Sequence, residues 1–227
     1  MHLQHELILA SKSPRRQQLL NDLGFNFTVK TKEVDESFPE NLIAEQIPLY
    51  LCKHKANSFS DEIEKENTLV ITADTIVWID NQVLNKPESF EDAKRMLHLL
   101  SGKMHEVFTG VCLKSKHKSN HFFVVTKVYF NSRSGDEIET YITTCSPLDK
   151  AGSYGAQESL PAGMNPCSTE EIAFLKNMNK LELIEKSIQK NSTEKGIALI
   201  NKIEGSYFNV MGLPLIELYD ALIKFDC

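Results

Sequence analysis

The 227-residue sequence has no excess of positive charge, no paired cysteines and no long apolar run. A net charge of −6 at pH 7 argues against a protein whose main task is to coat nucleic acid or an anionic membrane, because both need a dominant basic field. The sequence contains no uninterrupted run of about 18 apolar residues, so no membrane-spanning helix is expected. The N-terminal residues show no basic segment ahead of a signal-like apolar stretch, which predicts a cytoplasmic protein.

The five cysteines are scattered and never form a CxxC pair. This spacing suggests neither a disulfide framework nor a zinc ribbon, and it fits a reducing compartment. The chain is long enough to bury a core without such staples, and we detect no internal repeat or low-complexity tract. The simplest expectation is one α/β domain spanning residues 1–227.

Hydrophobic periodicity and turn residues predict that strands and helices alternate. Strands are expected over residues 7–10, 69–79, 82–84, 105–113, 122–130, 196–203 and 207–211. Helices are expected over residues 14–23, 48–59, 89–102, 137–142, 168–190 and 215–225. Because hairpins interrupt any strict βαβ rhythm, the sheet should be mixed rather than purely parallel.

The string SKSPRR, residues 11–16, joins the first strand to the first helix. Two arginines in the first turn oppose the helix dipole unless an anion binds there. Backbone N–H groups and guanidinium groups at such a site favour phosphate. Two readings therefore stay open: a phosphate cradle, or solvated surface arginines with no ligand.

Asp74 interrupts the apolar segment LVITADTIVWI. An unpaired buried carboxylate is costly, so Asp74 should lie at a strand end, pair with a lysine or bind a metal. Each option creates a polar pocket in which the carboxylate could activate water. A purely structural aspartate bonded to the backbone is the alternative.

Other candidate residues are dispersed along the chain. Lys55, Lys86, Asp35 and Glu36 supply the charges that phosphoryl chemistry requires, although scattered lysines are usually solvated. Residues 149–157 form a glycine-containing loop that ends in Gln157, whose amide could read the edge of a base. An ordinary turn explains that loop equally well.

The order of eight motifs resembles the Maf family of nucleotide pyrophosphatases, over roughly residues 7–158 and 195–224. The motifs are SKSPRR, VDES, HKAN, ITADTIV, LNKPES, LSGKMHEVFTGV, LDKAGSYGAQ and IEGSYFNVMGLPL. The resemblance implies an ITPase-like α/β fold with an elongated mixed sheet around a nucleotide-binding cleft. It also implies a homodimer, a divalent metal (Mg²⁺ or Mn²⁺) and hydrolysis of a nucleoside triphosphate to the monophosphate and pyrophosphate.

The same resemblance assigns roles to individual residues. Asp74 takes the proton-acceptor position, and Glu36 joins it around the metal or the water. Triphosphate binding is implied for Ser11, Arg15, Arg16, Lys55 and Lys86. Arg15, Thr75 and Gln157 match the branch that acts on dTTP and UTP.

The chain departs from the family pattern directly after Gln157. Glu158 replaces the usual glycine, and an insertion at about residues 159–194 contains an extra helix. This segment could act as a lid, extend a dimer interface or be a surface excursion. Two alternative functions remain: a pyrophosphatase for methylated GTP or CTP, and a non-enzymatic nucleotide sensor that regulates cell division and septum formation.

Overall fold

The computed structural model describes residues 4–191 and 197–226, and seven of its strands form one mixed sheet. The strands are β1 (Glu6–Leu9), β2 (Phe27–Val29), β3 (Thr68–Ile79), β4 (Gln82–Leu84), β5 (Met104–Lys114), β6 (Ser119–Phe130) and β7 (Ile200–Glu204). Their order is β2-β1-β3-β5-β6-β7, with β4 also paired to β3. β1 runs parallel to β2 and β3, whereas β3–β4 and β6–β7 are antiparallel. The predicted mixed α/β architecture is confirmed.

Helices connect or follow these strands. They are α1 (Pro14–Asp22), α2 (Gln46–Asn57), α3 (Ser60–Ile63), α4 (Phe90–Leu100), α5 (Gly135–Cys145), α6 (Ala156–Ser159), α7 (Thr169–Asn177), α8 (Glu182–Asn191), α9 (Tyr207–Val210) and α10 (Leu215–Asp226). In the part of the chain that the structure describes, no helix is both long and apolar enough to cross a membrane.

The chain divides into two compact units. The first consists of the residues up to Thr75, Phe108–Val124 and the segment from Gly212, and the second of Ile76–Val107 and Val125–Met211. In the first unit Leu9, Leu20 and Leu69 are fully buried side chains of the core. In the second unit α4 packs against α5, and their buried residues include Leu97, Leu100, Ile138 and Tyr141.

The first helix begins and ends as its sequence predicts. The hydroxyl of Ser13 accepts the N–H of Arg16 at 3.4 Å, and Pro14 occupies the first helical position. Gly24 follows the helix with φ of +85°, a conformation that glycine adopts at little cost. The turn that carries both arginines is therefore fixed by local capping.

The prediction of a strand over residues 207–211 is wrong, because Tyr207–Val210 form the short helix α9. The hydroxyl of Ser206 accepts the N–H of Asn209 at 3.0 Å. The carboxylate of Glu171 accepts the N–H groups of Tyr207 and Phe208 at 3.1 and 3.2 Å. These caps satisfy the free donors of a helix start, which the local apolar pattern does not reveal.

The prediction of a single long helix over residues 168–190 is also wrong, because this segment forms two helices, α7 and α8. Asn179 has φ of +55°, and the N–H of Lys180 closes α7 by donating to the carbonyl of Leu175 at 2.8 Å. The strand β2 and the short helix α6 were not expected. Residues 192–194 of the insertion, residue 196 of a predicted strand and Cys227 lie outside the described residues.

Candidate active site

The end of β1 exposes an edge of β3, and Arg16 occupies it. The Cα pairing of β1 with β3 ends at Leu9 and Ile71, and the N–H of Ala10 donates to the carbonyl of Ile71 at 2.9 Å. Alternate carbonyls of a strand face the same edge, so the carbonyl of Ala73 is the next acceptor. The Nη1 of Arg16 donates to it at 2.8 Å. The guanidinium thus continues the hydrogen bonding where the strand has ended.

Arg16 makes two further bonds within the same unit. Its Nε donates to the carbonyl of Gly212 at 2.8 Å, and its Nη2 donates to Oγ1 of Thr75 at 2.9 Å. Burial lowers the pKa of Arg16, the charge of Arg15 adds to this effect, and the carboxylates of Asp74 and Glu36 oppose it. Among the described residues, three of the five N–H donors of Arg16 are engaged, so two remain.

Arg15 differs from its neighbour. Its guanidinium makes no hydrogen bond or ion pair with any residue in the described ranges, and the side chain is half-buried. All five of its donors are therefore uncommitted within those ranges. Of the two arginines, Arg16 has mainly structural contacts, whereas Arg15 is the better candidate to bind an anion.

Lys55 joins two carboxylates. Its ammonium pairs with Oδ2 of Asp74 and lies 2.7 Å from Oε1 of Glu36. The side chain of Asp74 is 12% exposed and that of Lys55 is 17% exposed, whereas Glu36 is 58% exposed. Of the three options raised by the sequence, Asp74 takes the lysine partner, and it lies in the middle of β3 rather than at a strand end.

The helix α2 holds Lys55 at this position. Its residues Cys52 and Ala56 are fully buried and pack with Cys112 of β5. The hydroxyl of Thr72 on β3 donates to the carbonyl of Cys52 at 2.7 Å. Lys55 lies one residue before Ala56 and projects from the less buried side of the helix, so packing and this bond both locate the ammonium.

Gly110 allows α2 to approach β5. A Cβ at this glycine would lie 2.5 Å from both the carbonyl carbon and the carbonyl oxygen of Pro48. Real Cβ atoms essentially never approach backbone atoms that closely, so any side chain would displace the first turn of α2. Glycine inside the apolar strand segment VFTGVCL is a sequence signal for such an approach, although we did not draw that inference from the sequence.

Thr75 is the centre of a second set of polar contacts. Its Oγ1 lies 2.9 Å from Oγ1 of Thr109 on β5. Thr109 is fully buried, whereas Thr75 is half-buried. Thr109 and Gly212 were not among the residues singled out from the sequence, because threonine and glycine carry no charge that would mark them.

The remaining candidates are distributed between the two units. In the first unit, the hydroxyl of the buried Ser11 accepts the N–H of Ser13 at 3.2 Å. The second unit contains Lys86, which is exposed after β4, and Gln157, which is half-buried in α6. The structure therefore gathers Glu36, Lys55 and Asp74 in one cluster, and Arg16 with Thr75 in a network of the same unit.

The pair of carboxylates on Lys55 suits a divalent cation that arrives with phosphate. No group of three or more His, Cys, Asp and Glu side chains within residues 4–191 and 197–226 could hold a metal ion. Mg²⁺ commonly uses only one or two protein carboxylates and completes its shell with water and substrate phosphates. Glu36 and Asp74 fit that donor set.

These features define an α/β protein whose site combines carboxylate, ammonium and guanidinium groups suited to phosphate chemistry. The chain belongs to the family described as Maf-like protein, whose model matches residues 6–169 and 182–225. The resemblance drawn from the motifs is thereby confirmed. The unmatched residues 170–181 include most of α7.

Several curated relatives support this membership. The dTTP/UTP pyrophosphatase of Phocaeicola vulgatus is 41% identical over 221 residues, which cover 97% of this chain and 96% of that protein. The dTTP/UTP pyrophosphatase of Cytophaga hutchinsonii is 41% identical over 219 residues, covering 96% and 84%. Among solved structures, the Ham1 protein of Staphylococcus aureus matches with a TM-score of 0.42 and 12% identity, covering 55% of this chain and 71% of that chain.

Proposed function

We propose that the protein hydrolyses nucleoside triphosphates, and dTTP and UTP in particular, to the monophosphate and pyrophosphate. The observation that carries this proposal is the buried carboxylate of Asp74 paired with Lys55 beside Glu36. Relatives covered almost end to end carry the name dTTP/UTP pyrophosphatase, which supports the substrate class.

In this mechanism Asp74 orients a water molecule and accepts its proton as the water oxygen attacks phosphorus. The bond between the α- and β-phosphoryl groups breaks, and pyrophosphate leaves. Lys55 has three N–H donors, of which the two carboxylates occupy two, so one can bind a phosphate oxygen. Arg16 offers two donors and Arg15 offers five, at a helix start that itself favours anions. Ser11 and Lys86 complete the proposed triphosphate contacts.

We assign a divalent cation, Mg²⁺ or Mn²⁺, to Glu36 and Asp74. Such a cation would offset negative charge on the phosphates when bound. The contacts of Lys55 support this assignment, because its ammonium demonstrates that a single positive group can meet both carboxylates. Arg15, Thr75 and Gln157 are proposed to select the pyrimidine base.

We further propose a cytoplasmic homodimer. The location is supported by Cys52, Cys112, Cys145 and Cys167, which are free thiols. Sedimentation equilibrium of the purified protein would measure its mass, and a monomer at micromolar concentration would refute the dimer.

The test is pyrophosphate release with Mg²⁺ or Mn²⁺ across dTTP, UTP, CTP, GTP, methylated GTP and ATP. We expect dTTP and UTP to be turned over fastest. Asp74→Asn should lower kcat by about 10² to 10⁴, the usual contribution of a general base. The control Asp61→Asn removes an exposed carboxylate of α3 and should leave kcat unchanged.

Three results would contradict the proposal. Near-normal turnover by a folded Asp74→Asn variant would remove the base. Fast hydrolysis of methylated GTP or CTP alone would keep the reaction but reject the base preference. No turnover of any nucleotide by the wild type would favour the role of a nucleotide-sensing regulator.

A further inference from the structure

We propose that Lys55 controls when the divalent cation binds, because its ammonium and the cation compete for the carboxylates of Glu36 and Asp74. The cation then binds tightly only when the phosphates of a nucleotide are present to accept the ammonium. This inference rests on the proposed function and deepens it, since it makes the binding of cation and the binding of nucleotide depend on each other.

The ammonium of Lys55 contacts both carboxylates. It lies 2.7 Å from Oε1 of Glu36 and forms an ion pair with Oδ2 of Asp74. The two carboxylates together carry a charge of −2, and the ammonium reduces the net charge of the group to −1. Because carboxylates hold a divalent cation by their charge, Lys55 weakens the attraction that the pair offers.

The ammonium and the cation would also repel each other at close range. Mg²⁺ lies about 2.1 Å from the oxygens that bind it. A cation that shares Oε1 of Glu36 with Lys55 would therefore lie at most about 5 Å from Nζ. The side chains of Lys55 and Asp74 are 17% and 12% exposed, so water screens this repulsion incompletely. The cation therefore binds best when the ammonium has left the carboxylates.

The ammonium can leave without a change in the fold. Lys55 is in the last turn of α2, and a flexible stem of four carbons separates its charge from the backbone. The helix itself is fixed by the packing of Cys52 and Ala56 with Cys112. Rotation of the side chain of Lys55 is therefore sufficient to release both carboxylates.

Arg16 does not compete for the cation in the same way. Its guanidinium donates to two backbone carbonyls and a hydroxyl, at 2.8, 2.8 and 2.9 Å. None of these three acceptors is a carboxylate, so its contacts do not change when the carboxylates bind a cation. Lys55 pairs directly with both carboxylates, and a substitution of this residue therefore tests the inference.

A nucleoside triphosphate supplies the other partner of the ammonium. Its phosphates carry several negative charges, and an ammonium can bind phosphate oxygens as a compact point charge. The third N–H donor of Lys55 can make the first contact, and the carboxylates regain their full charge as the ammonium turns to the phosphates. The coupling is reciprocal, so the nucleotide raises the affinity for the cation by the same factor by which the cation raises the affinity for the nucleotide.

The experiment measures binding of Mn²⁺ to the purified full chain without nucleotide, from the loss of the electron paramagnetic resonance signal of free Mn²⁺. Lys55→Met keeps an unbranched apolar side chain and removes the charge. It should bind Mn²⁺ roughly 5- to 150-fold more tightly than the wild type, the usual range of coupling between two ligands. Lys53→Met is the matched control, because it removes an exposed charge of the same helix and should change the affinity less than about twofold.

Two further measurements complete the test. Adding Glu36→Gln to Lys55→Met should abolish the gain in affinity, which assigns the bound Mn²⁺ to this carboxylate pair. The titrations are then repeated with a UTP analogue that has a methylene group between its α- and β-phosphorus atoms, and Mn²⁺ bound to the analogue alone is subtracted. The analogue should raise the Mn²⁺ affinity of the wild type more than that of Lys55→Met. Lys55→Gln replaces Lys55→Met if circular dichroism shows that the latter does not fold.

Several results would overturn the inference. An affinity of Lys55→Met for Mn²⁺ that equals or falls below that of the wild type refutes the competition. A gain of the same size in Lys53→Met assigns the effect to overall charge and refutes it too. Failure of both the wild type and Lys55→Met to bind Mn²⁺ refutes the assignment of the cation. The proposed function fails separately, when the wild type releases pyrophosphate from no nucleotide, because the Mn²⁺ titrations do not depend on turnover.

Discussion

Replacing Arg16 by lysine tests whether this arginine holds the first helix, β3 and Gly212 together. Three different nitrogens of the planar guanidinium group donate to three acceptor oxygens, at 2.8, 2.8 and 2.9 Å. A lysine ammonium is a single point, so it can replace about one of these bonds. A hydrogen bond from a charged donor contributes about 1.5–3 kcal/mol. The lower value applies to a half-buried side chain, and two lost bonds then cost about 3 kcal/mol.

Thermal unfolding measures this loss directly. For a chain of this length 1 kcal/mol corresponds to about 2–4 °C, so Arg16→Lys should lower Tm by roughly 6–12 °C. Arg15→Lys is the matched control, because Arg15 makes no bond with the described residues and its replacement should leave Tm within about 2 °C. Equal Tm values for the two variants would refute the assignment of a structural role to Arg16.

Other predictions concern Gly110, Glu171 and His105. Gly110→Ala should lower stability by about 1–3 kcal/mol, because its Cβ would collide with the backbone of Pro48; an unchanged Tm would contradict this. Glu171→Ala should lower the free energy of unfolding, measured in urea, by about 2–4 kcal/mol, because three N–H groups and one hydroxyl lose their acceptor. The control is Glu170→Ala at the exposed neighbouring residue, which should change the free energy of unfolding little. Burial lowers the pKa of His105 from 6.5 to about 3, so the unfolded chain binds more protons between these values. Stability should therefore fall by about 1 kcal/mol per pH unit below pH 6.5, and His105→Gln should flatten that slope; equal slopes would remove His105 as the cause.

Strongly patterned elements could be predicted from the sequence. The bounds predicted for β3 from its β-branched residues agree with the structure within one or two residues at each end. The same holds for α4, whose bounds were predicted from its cap and its apolar face. Asp74 could also be recognised, because a carboxylate in an apolar strand requires a partner. Which lysine would be that partner could not be inferred, since residue 55 approaches β3 only through the packing of α2.

The remaining features depend on contacts between distant parts of the chain. α9 is capped by Glu171, which lies 35 residues before Ser206 and is 1% exposed. Local sequence therefore could not distinguish a short helix from a strand at Tyr207–Val210. Glu171 belongs to the segment that the family model leaves unmatched, so part of the insertion is integrated into the packing of the second unit. Arg15 and Arg16 are likewise adjacent and of the same type in sequence, and what distinguishes them is that Arg16 donates to the carbonyls of Ala73 and Gly212 and to the hydroxyl of Thr75.

The charges of the first unit explain why an acidic chain can be proposed to bind a polyanion. Arg15, Arg16 and Lys55 carry three positive charges, and Glu36 and Asp74 carry two negative charges, so this set is net positive by one in a chain of net charge −6. One positive charge is too little to neutralise a triphosphate, which is why we propose that a divalent cation binds together with the nucleotide. The same count predicts that loss of Lys55 would weaken substrate binding. Without its ammonium, Glu36 and the buried Asp74 would repel both each other and the substrate.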